Sequence, residues 1–283
     1  MSTLRENVAV IIPVYKEIEA LNNNELISLT QTIDILGECD IWLVAPIGLN
    51  IDNYFLRFGN KVNFKVHFFA KEYFANIAGY NKLLLNREFY QAFIEYKFIL
   101  ICQLDVFVFY NSLEKFIRLD YDYIGAPWFE GFGSALADTK IMGVGNGGFS
   151  LRKVSSALRI LDFFDALRPS KMRVATLRHL AQDPGPLLKV LKHEAIRHVR
   201  HYPTMLPWQQ VENEDIYWSM YIKGFFPWYR VATVADAIAF AFESRPELLY
   251  ELNQHTLPMG AHAWQRYNLA FWKPHIEGFG YTV

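Results

Sequence analysis

Four apolar runs punctuate the first third of the chain: "NVAVIIPVY" (7–15), "DIWLVAP" (40–46), "FKVHFF" (64–69) and "KFILIC" (97–102). The first, second and fourth are apolar at nearly every position, which is the signature of strands buried on both faces. Between them the period changes. Leu26, Leu29, Ile33 and Leu36 fall on one face of a helix over roughly 24–36, and "NKLLLNREFYQAFIEY" predicts another over 81–96. Strands that alternate with helices imply an α/β fold, with a mostly parallel sheet covered on both faces. In such a sheet the ligand crevice lies beyond the carboxyl ends of the strands. Pro13, Val14, Tyr15, Pro46, Lys71 and Asp105 all sit just after predicted strands, so one rim is expected to collect them.

The second half is less regular. "DYIGAPW" (122–128) predicts a short edge or crossing strand. The glycine-rich stretch up to "GVGNGGFSLRK" predicts loops around one strand near 147–151, followed by a helix over about 153–164. Residues 170–200 predict two basic helical segments split by "DPGP". A solvated helix face explains them, and so does a surface that meets an acceptor or a membrane. "ENEDIYWSMYIKG" (212–224) predicts a helix entered through an acidic first turn. "AIAFAFES" predicts a last strand, before "HTLPMGAHAWQRY" and a loose aromatic end. No repeat or linker divides the chain, so a single domain over 1–283 is expected.

Composition narrows the function classes. With 28 basic against 29 acidic residues, the net charge of -1 gives no general attraction to polyanions, and a nucleic-acid partner is not expected. Cys39 and Cys102 are too few for a usual structural zinc site and are expected to be buried thiols. The N-terminus lacks the basic start and long apolar run of a signal peptide. The run 98–110, broken by Gln103 and Asp105, is too short to span a bilayer. A cytoplasmic protein is expected, with peripheral contact at the inner face of the membrane left open.

Several residues carry candidate chemistry. Asp105 follows a central strand, where it either makes an Asx turn or offers a carboxylate to a divalent cation bridging phosphates. Gly145, Gly147 and Gly148 imply close backbone approach, either to a packed strand or to a bound sugar. Glu214 and Asp215 sit in the first turn of a predicted helix, where they complement its dipole or serve as a general base. His255 and His262 flank a Pro-Met-Gly turn, and His262 is either structural or a metal ligand. Trp128 and Trp208 belong to the core or stack on a sugar.

Taken in order, "YNKLLLNREFYQAF", "QLDVFVF", "YDYIGAPW", "GNGGFSLR", "NEDIYW" and "LPMGAHAW" resemble the DUF5672 family of glycosyltransferase-like proteins over roughly residues 8–265. That family is similar to the GT-A nucleotide-sugar transferases and, more distantly, to the β-1,4-galactosyltransferase type. The resemblance implies a GT-A-like, Rossmann-like sheet, with a nucleotide-binding half over about 1–110. An acceptor-binding and catalytic half over about 111–265 and a tail over 266–283 would follow. It implies that Pro13, Val14 and Tyr15 hold the nucleotide base, and that Asn81 and Lys82 lie near the diphosphate. "QLD" stands where such enzymes carry a DxD motif, so Asp105 matches its second aspartate and Gln103 replaces the first. Asp105 and His262 would hold Mn²⁺ or Mg²⁺, with Lys71, Lys82 or Arg152 as other sources of positive charge. Gly147 and Gly148 would border donor and acceptor. Asp215 would be the base of an inverting transfer, and Glu214 would hold the acceptor. The implied partners are a nucleotide-sugar donor, a UDP-sugar, and a glycan or lipid-linked saccharide. A non-catalytic nucleotide- or carbohydrate-binding protein and a nucleotidyltransferase are the alternatives.

Overall fold

The computed structural model describes residues 4–131, 140–168 and 184–283. Among these, six strands form the main sheet in the order β3-β2-β1-β4-β9-β6. They are β1 (Val8–Pro13), β2 (Asp40–Pro46), β3 (Lys65–Phe69), β4 (Phe98–Cys102), β6 (Tyr123–Ile124) and β9 (Phe149–Lys153). The first four are parallel, and β9 runs antiparallel to both β4 and β6. The expected α/β architecture is therefore present, and β4 is central as its apolar run predicts.

Alternate residues of the central strands feed two separate cores. Val8, Val10, Ile12, Leu100 and Cys102 pack with Leu29, Ile33 and Leu36 of the helix Asn23–Leu36. Ala9, Ile11, Ile99 and Ile101 pack on the other side with Leu83, Leu84, Phe89, Ile160 and Phe164. Helices thus cover both faces, which is why these strands read as continuous apolar runs. Cys39 and Cys102 are buried and unbridged, and burial pushes the Cys102 thiol up to about 12.

The sheet is extended by two smaller ones. In one, β10 (Ala241–Phe242) lies parallel to β11 (Gly260–His262), which runs antiparallel to β5 (Val106–Val108). In the other, β7 (Pro127–Phe129) pairs antiparallel with β8 (Ile141–Val144).

Four expectations need correction. The helix expected over 81–96 is two, Ile77–Leu84 and Arg87–Gln91, because the Asn86 side chain accepts the Glu88 N–H and caps a new start. "DYIGAPW" contributes to two short strands, β6 and β7, and the glycine-rich stretch after it holds β8 as well as the strand near 149. "AIAFAFES" is mostly the end of a helix, Val234–Phe240, capped by Thr233, and only Ala241–Phe242 is strand. The loose end is a helix, Leu269–Glu277, capped by Asn268. Of the two basic segments, the second is the helix Pro184–Arg200, and the first lies outside the described residues. No helix among the described residues is long and apolar enough to cross a membrane.

Trp272 anchors the C-terminal helix. It is fully buried, stacks on Phe109 with ring centroids 5.6 Å apart, and donates its indole N–H to the Tyr267 carbonyl. Trp272→Ala is expected to destabilise the fold by about 3–5 kcal/mol. Denaturant unfolding checks this: a loosely attached tail would leave the midpoint unmoved.

Candidate active site

Strand direction builds the rim. β1 and β4 end at Pro13 and Cys102 on the same side. Because β9 runs the other way, its beginning, Phe149, pairs with Cys102. The pairing continues one step further, as the Gln103 N–H donates to the Gly148 carbonyl at 2.9 Å. Gly147 and Gly148 therefore lie beside the turn at Gln103–Asp105, although some forty residues of chain separate them.

A second register supplies the histidine. After the turn the chain continues as β5, and β11 places His262 opposite Val106. His262 Nε2 faces Asp105 Oδ1 at 3.4 Å, and His262 Nδ1 lies 2.8 Å from Glu243 Oε1. Burial works against charge on this imidazole, but the two carboxylates overcome it and raise its pKa to about 10. Burial likewise opposes ionisation of Asp105, yet the imidazolium wins and its carboxyl is held below the ordinary value.

Asp105 Oδ1 is buried and accepts no hydrogen bond. An orphaned carboxylate oxygen opposite an imidazole nitrogen, whose other nitrogen is oriented by a second carboxylate, fits a hard divalent cation. No cluster of three or more His, Cys, Asp or Glu able to hold a metal occurs among the described residues. Such an ion would need oxygens from a ligand to complete its shell.

Asp215 closes the rim from the other side. Its Oδ2 accepts the Gly147 N–H at 2.9 Å, and its Oδ1 accepts the Ile216 N–H at 2.9 Å. Burial raises its pKa despite these bonds. Glu214 points inward instead. Arg152 from β9 grips it in a fork, Nη1 to Oε2 at 2.7 Å and Nη2 to Oε1 at 2.8 Å, with both side chains at most 3% exposed. Burial alone would push the Glu214 carboxyl up and the guanidinium down. With both oxygens accepting N–H bonds, the pair is held ionised. Glu214 is thus committed to Arg152, which removes both from the donor and acceptor contacts expected of them. Two residues after Asp215, the helix takes a π-helical turn over Tyr217–Tyr221.

The glycines are explained by protein neighbours. A Cβ on Gly148 would lie 2.1 Å from His262 Nε2, and one on Gly147 would lie 2.2 Å from Glu214 Oε1. Neither neighbour can yield easily, since Glu243 pins the first and Arg152 the second. Gly145 packs against the buried ring of Trp128, which places that tryptophan beneath the loop.

The other expected residues divide. Pro13 and Val14 are buried, and Val14 N–H donates to the Val44 carbonyl at 2.9 Å. Tyr15 is half exposed, and its hydroxyl donates to Glu25 at 3.3 Å. Burial, then Glu25 and the charge of Asp105, raise that hydroxyl's pKa, so it stands in the field of the site. Asn81 braces the acidic segment, bonding the Asn213 side chain and the Glu214 N–H. Lys71 is exposed on the turn after β3. Lys82 and Trp208 line a groove of about 560 Å³, with none of Asp105, Gly147, Asp215 or His262 in its walls. His255 sits edge-on to Tyr250, in the structural role open to it. Glu243 is not legible as a site residue in the sequence, because it sits in an apolar stretch that reads as a strand.

The mouse xyloside xylosyltransferase 1, in its apo form, shares this fold at a TM-score of 0.52 and 11% identity, over 90% of this chain and 97% of that one. The galactosyltransferase LgtC, in complex with donor and acceptor sugar analogs, is similar at 0.48 and 11% identity, over 95% and 94% of the two chains. A glycosyltransferase involved in glycosylation of the major capsid of PBCV-1 is similar at 0.42 and 12% identity, over 96% and 99%. Of these three only the first exceeds 0.5, and at that identity it speaks to the fold alone. No curated protein matches the sequence. The family model described as "Protein of unknown function (DUF5672)" matches residues 63–262, and the chain belongs to that family.

Proposed function

We propose that this protein is an inverting glycosyltransferase that moves a sugar from a nucleoside-diphosphate donor, a UDP-sugar, to a hydroxyl of a glycan or lipid-linked saccharide. The observation that carries this reading is the rim itself. It sets a pair suited to a cation, Asp105 and His262, and a partly buried carboxylate, Asp215, on either side of the Gly147–Gly148 backbone.

Asp215 serves as the base. Gly147 and Ile216 hold its two oxygens in place, and each oxygen keeps a lone pair free for an acceptor hydroxyl. Its raised pKa makes it a stronger base than an exposed aspartate. As Asp215 takes the proton, the acceptor oxygen bonds to the anomeric carbon. The bond from that carbon to the diphosphate breaks on the opposite face, so configuration inverts. Asp105 and His262 would hold Mn²⁺ or Mg²⁺, which when bound neutralises charge on the departing diphosphate. Pro13, Val14 and Tyr15 border the nucleotide side of the rim. The single carboxylate of "QLD" favours one other reading, a binding protein that holds the donor without turning it over.

Release of free UDP from a donor panel separates the two. Asp215→Asn is expected to lower turnover by about 10²–10⁴-fold while donor affinity stays as it was. Undiminished turnover would remove Asp215 from the role of base. An aspartate acts as a base only above its pKa, so the rate falls as pH drops through that value. Since burial raises the Asp215 pKa, this acid limb lies at higher pH than for an ordinary aspartate. NMR of the product's anomeric configuration reads inversion directly.

Glu243 orients the His262 ring, so Glu243→Gln is expected to weaken Mn²⁺ binding about 10–100-fold. Electron paramagnetic resonance titration in the presence of UDP checks it. Mn²⁺ affinity unchanged from that of the unaltered protein in both Glu243→Gln and Asp105→Asn would place the ion elsewhere.

A further inference from the structure

Among the described residues, the helix Pro184–Arg200 is held to the protein by one side. Val190 is buried, His193 Nε2 lies 2.8 Å from the Pro203 carbonyl, and the His193 ring packs edge-on to Phe225. Glu194, the only acid of the helix, turns the same way: it accepts the Thr204 hydroxyl and the Met205 N–H and pairs with Arg197. The opposite side carries Leu188 (64% exposed), Leu191 (54%), Ala195 and Val199 (81%) at three- and four-residue spacing. Single exposed apolar residues are ordinary, but a stripe repeated along three turns of one helix face is not. Lys189, Lys192 and Arg200 are exposed beside that stripe, with no acid of the helix on the outward side. The chain as a whole has a net charge of -1, so this basic edge is a local feature.

We infer that this helix face docks on an anionic lipid bilayer. An outward apolar stripe flanked by Lys and Arg is the arrangement of helices that lie in the plane of a membrane, with leucine and valine among the acyl chains and the ammonium groups at the headgroups. The charge decides the occupant. Three cations beside the stripe complement a negatively charged surface, whereas a second copy of the same face would bring like charges together. The inference rests on the helix alone and does not depend on the transferase reading.

Co-sedimentation of the full chain with vesicles tests it. The protein is expected to partition onto phosphatidylcholine vesicles containing phosphatidylglycerol, more weakly as salt rises, and hardly at all onto phosphatidylcholine alone. Leu188→Gln/Leu191→Gln/Val199→Gln removes only exposed side chains. It is expected to lower partitioning roughly tenfold or more without changing the unfolding midpoint. Lys189→Glu/Lys192→Glu is expected to act comparably on anionic vesicles. Failure of the unaltered protein to bind anionic vesicles overturns the inference, as does unchanged binding by the triple variant. Light scattering covers the competing occupant: a dimer that the triple variant dissolves, with no vesicle binding, would make the face an interface between copies.

Discussion

The fork between Arg152 and Glu214 is the interaction on which the geometry of the site depends. Two fully buried ions are costly to desolvate, and removing one partner would leave the other charge stranded. Here the remaining hydrogen-bonding capacity is also filled. Arg152 donates to Ser150 and Tyr90, approaches the Gly147 carbonyl at 3.4 Å, and lies over the Tyr123 ring. Tyr90 in turn donates to the Leu84 carbonyl, which also receives the Trp218 indole N–H. One guanidinium thereby joins the main sheet, the short helix at Arg87–Gln91 and the acidic segment. Asp215 is the next residue along the chain from Glu214, so its position is fixed by a group that itself never reaches solvent.

Strand register does the rest, and it acts over long distances in sequence. Antiparallel pairing of β9 with β4 brings Gly147 and Gly148 to the end of the strand that precedes Asp105. Antiparallel pairing of β11 with β5 brings His262 to the same place from the far side of the chain. The two glycines then become necessities of packing. A methyl group at either would displace the imidazole that faces Asp105 or the carboxylate gripped by Arg152. A one-residue slip in either pair would turn these side chains to the opposite face and dismantle the rim.

Much of this could be read from the residues, for identifiable reasons. Strands buried on both faces leave continuous apolar runs, so β1, β2 and β4 were visible, and with them the rim at Pro13 and Asp105. Signals failed where local chemistry outweighed periodicity. Asn86 splits an apolar-periodic stretch because its side chain caps a new helix. Thr233 draws Val234–Phe240 into a helix that the alternation of "AIAFAFES" disguises as a strand. The β7–β8 pair is masked by the surrounding glycines, of which Gly145 makes a close approach to Trp128. Adjacent carboxylates at 214 and 215 look interchangeable in sequence, and only the inward turn of Glu214 towards Arg152 distinguishes a brace from a candidate base. Glu243 carries no signal of its own, because its importance lies in a 2.8 Å contact with a histidine nineteen positions away.

Gln103 has a consequence for how a cation would be held. A DxD motif with both aspartates brings two carboxylates to the metal, whereas this chain offers one carboxylate oxygen and one imidazole nitrogen, with Glu243 behind the ring. Before any ion arrives, Asp105 and Glu243 stabilise a protonated His262, so binding a cation means displacing that proton. A site with little negative charge of its own gains most from a ligand that brings oxygens and charge with it, as a diphosphate does. On the proposed reading, cation and donor therefore reinforce one another's binding, and by linkage the effect is the same in both directions. On that reading the single carboxylate works as a condition, and the site would assemble fully only with the nucleotide sugar bound.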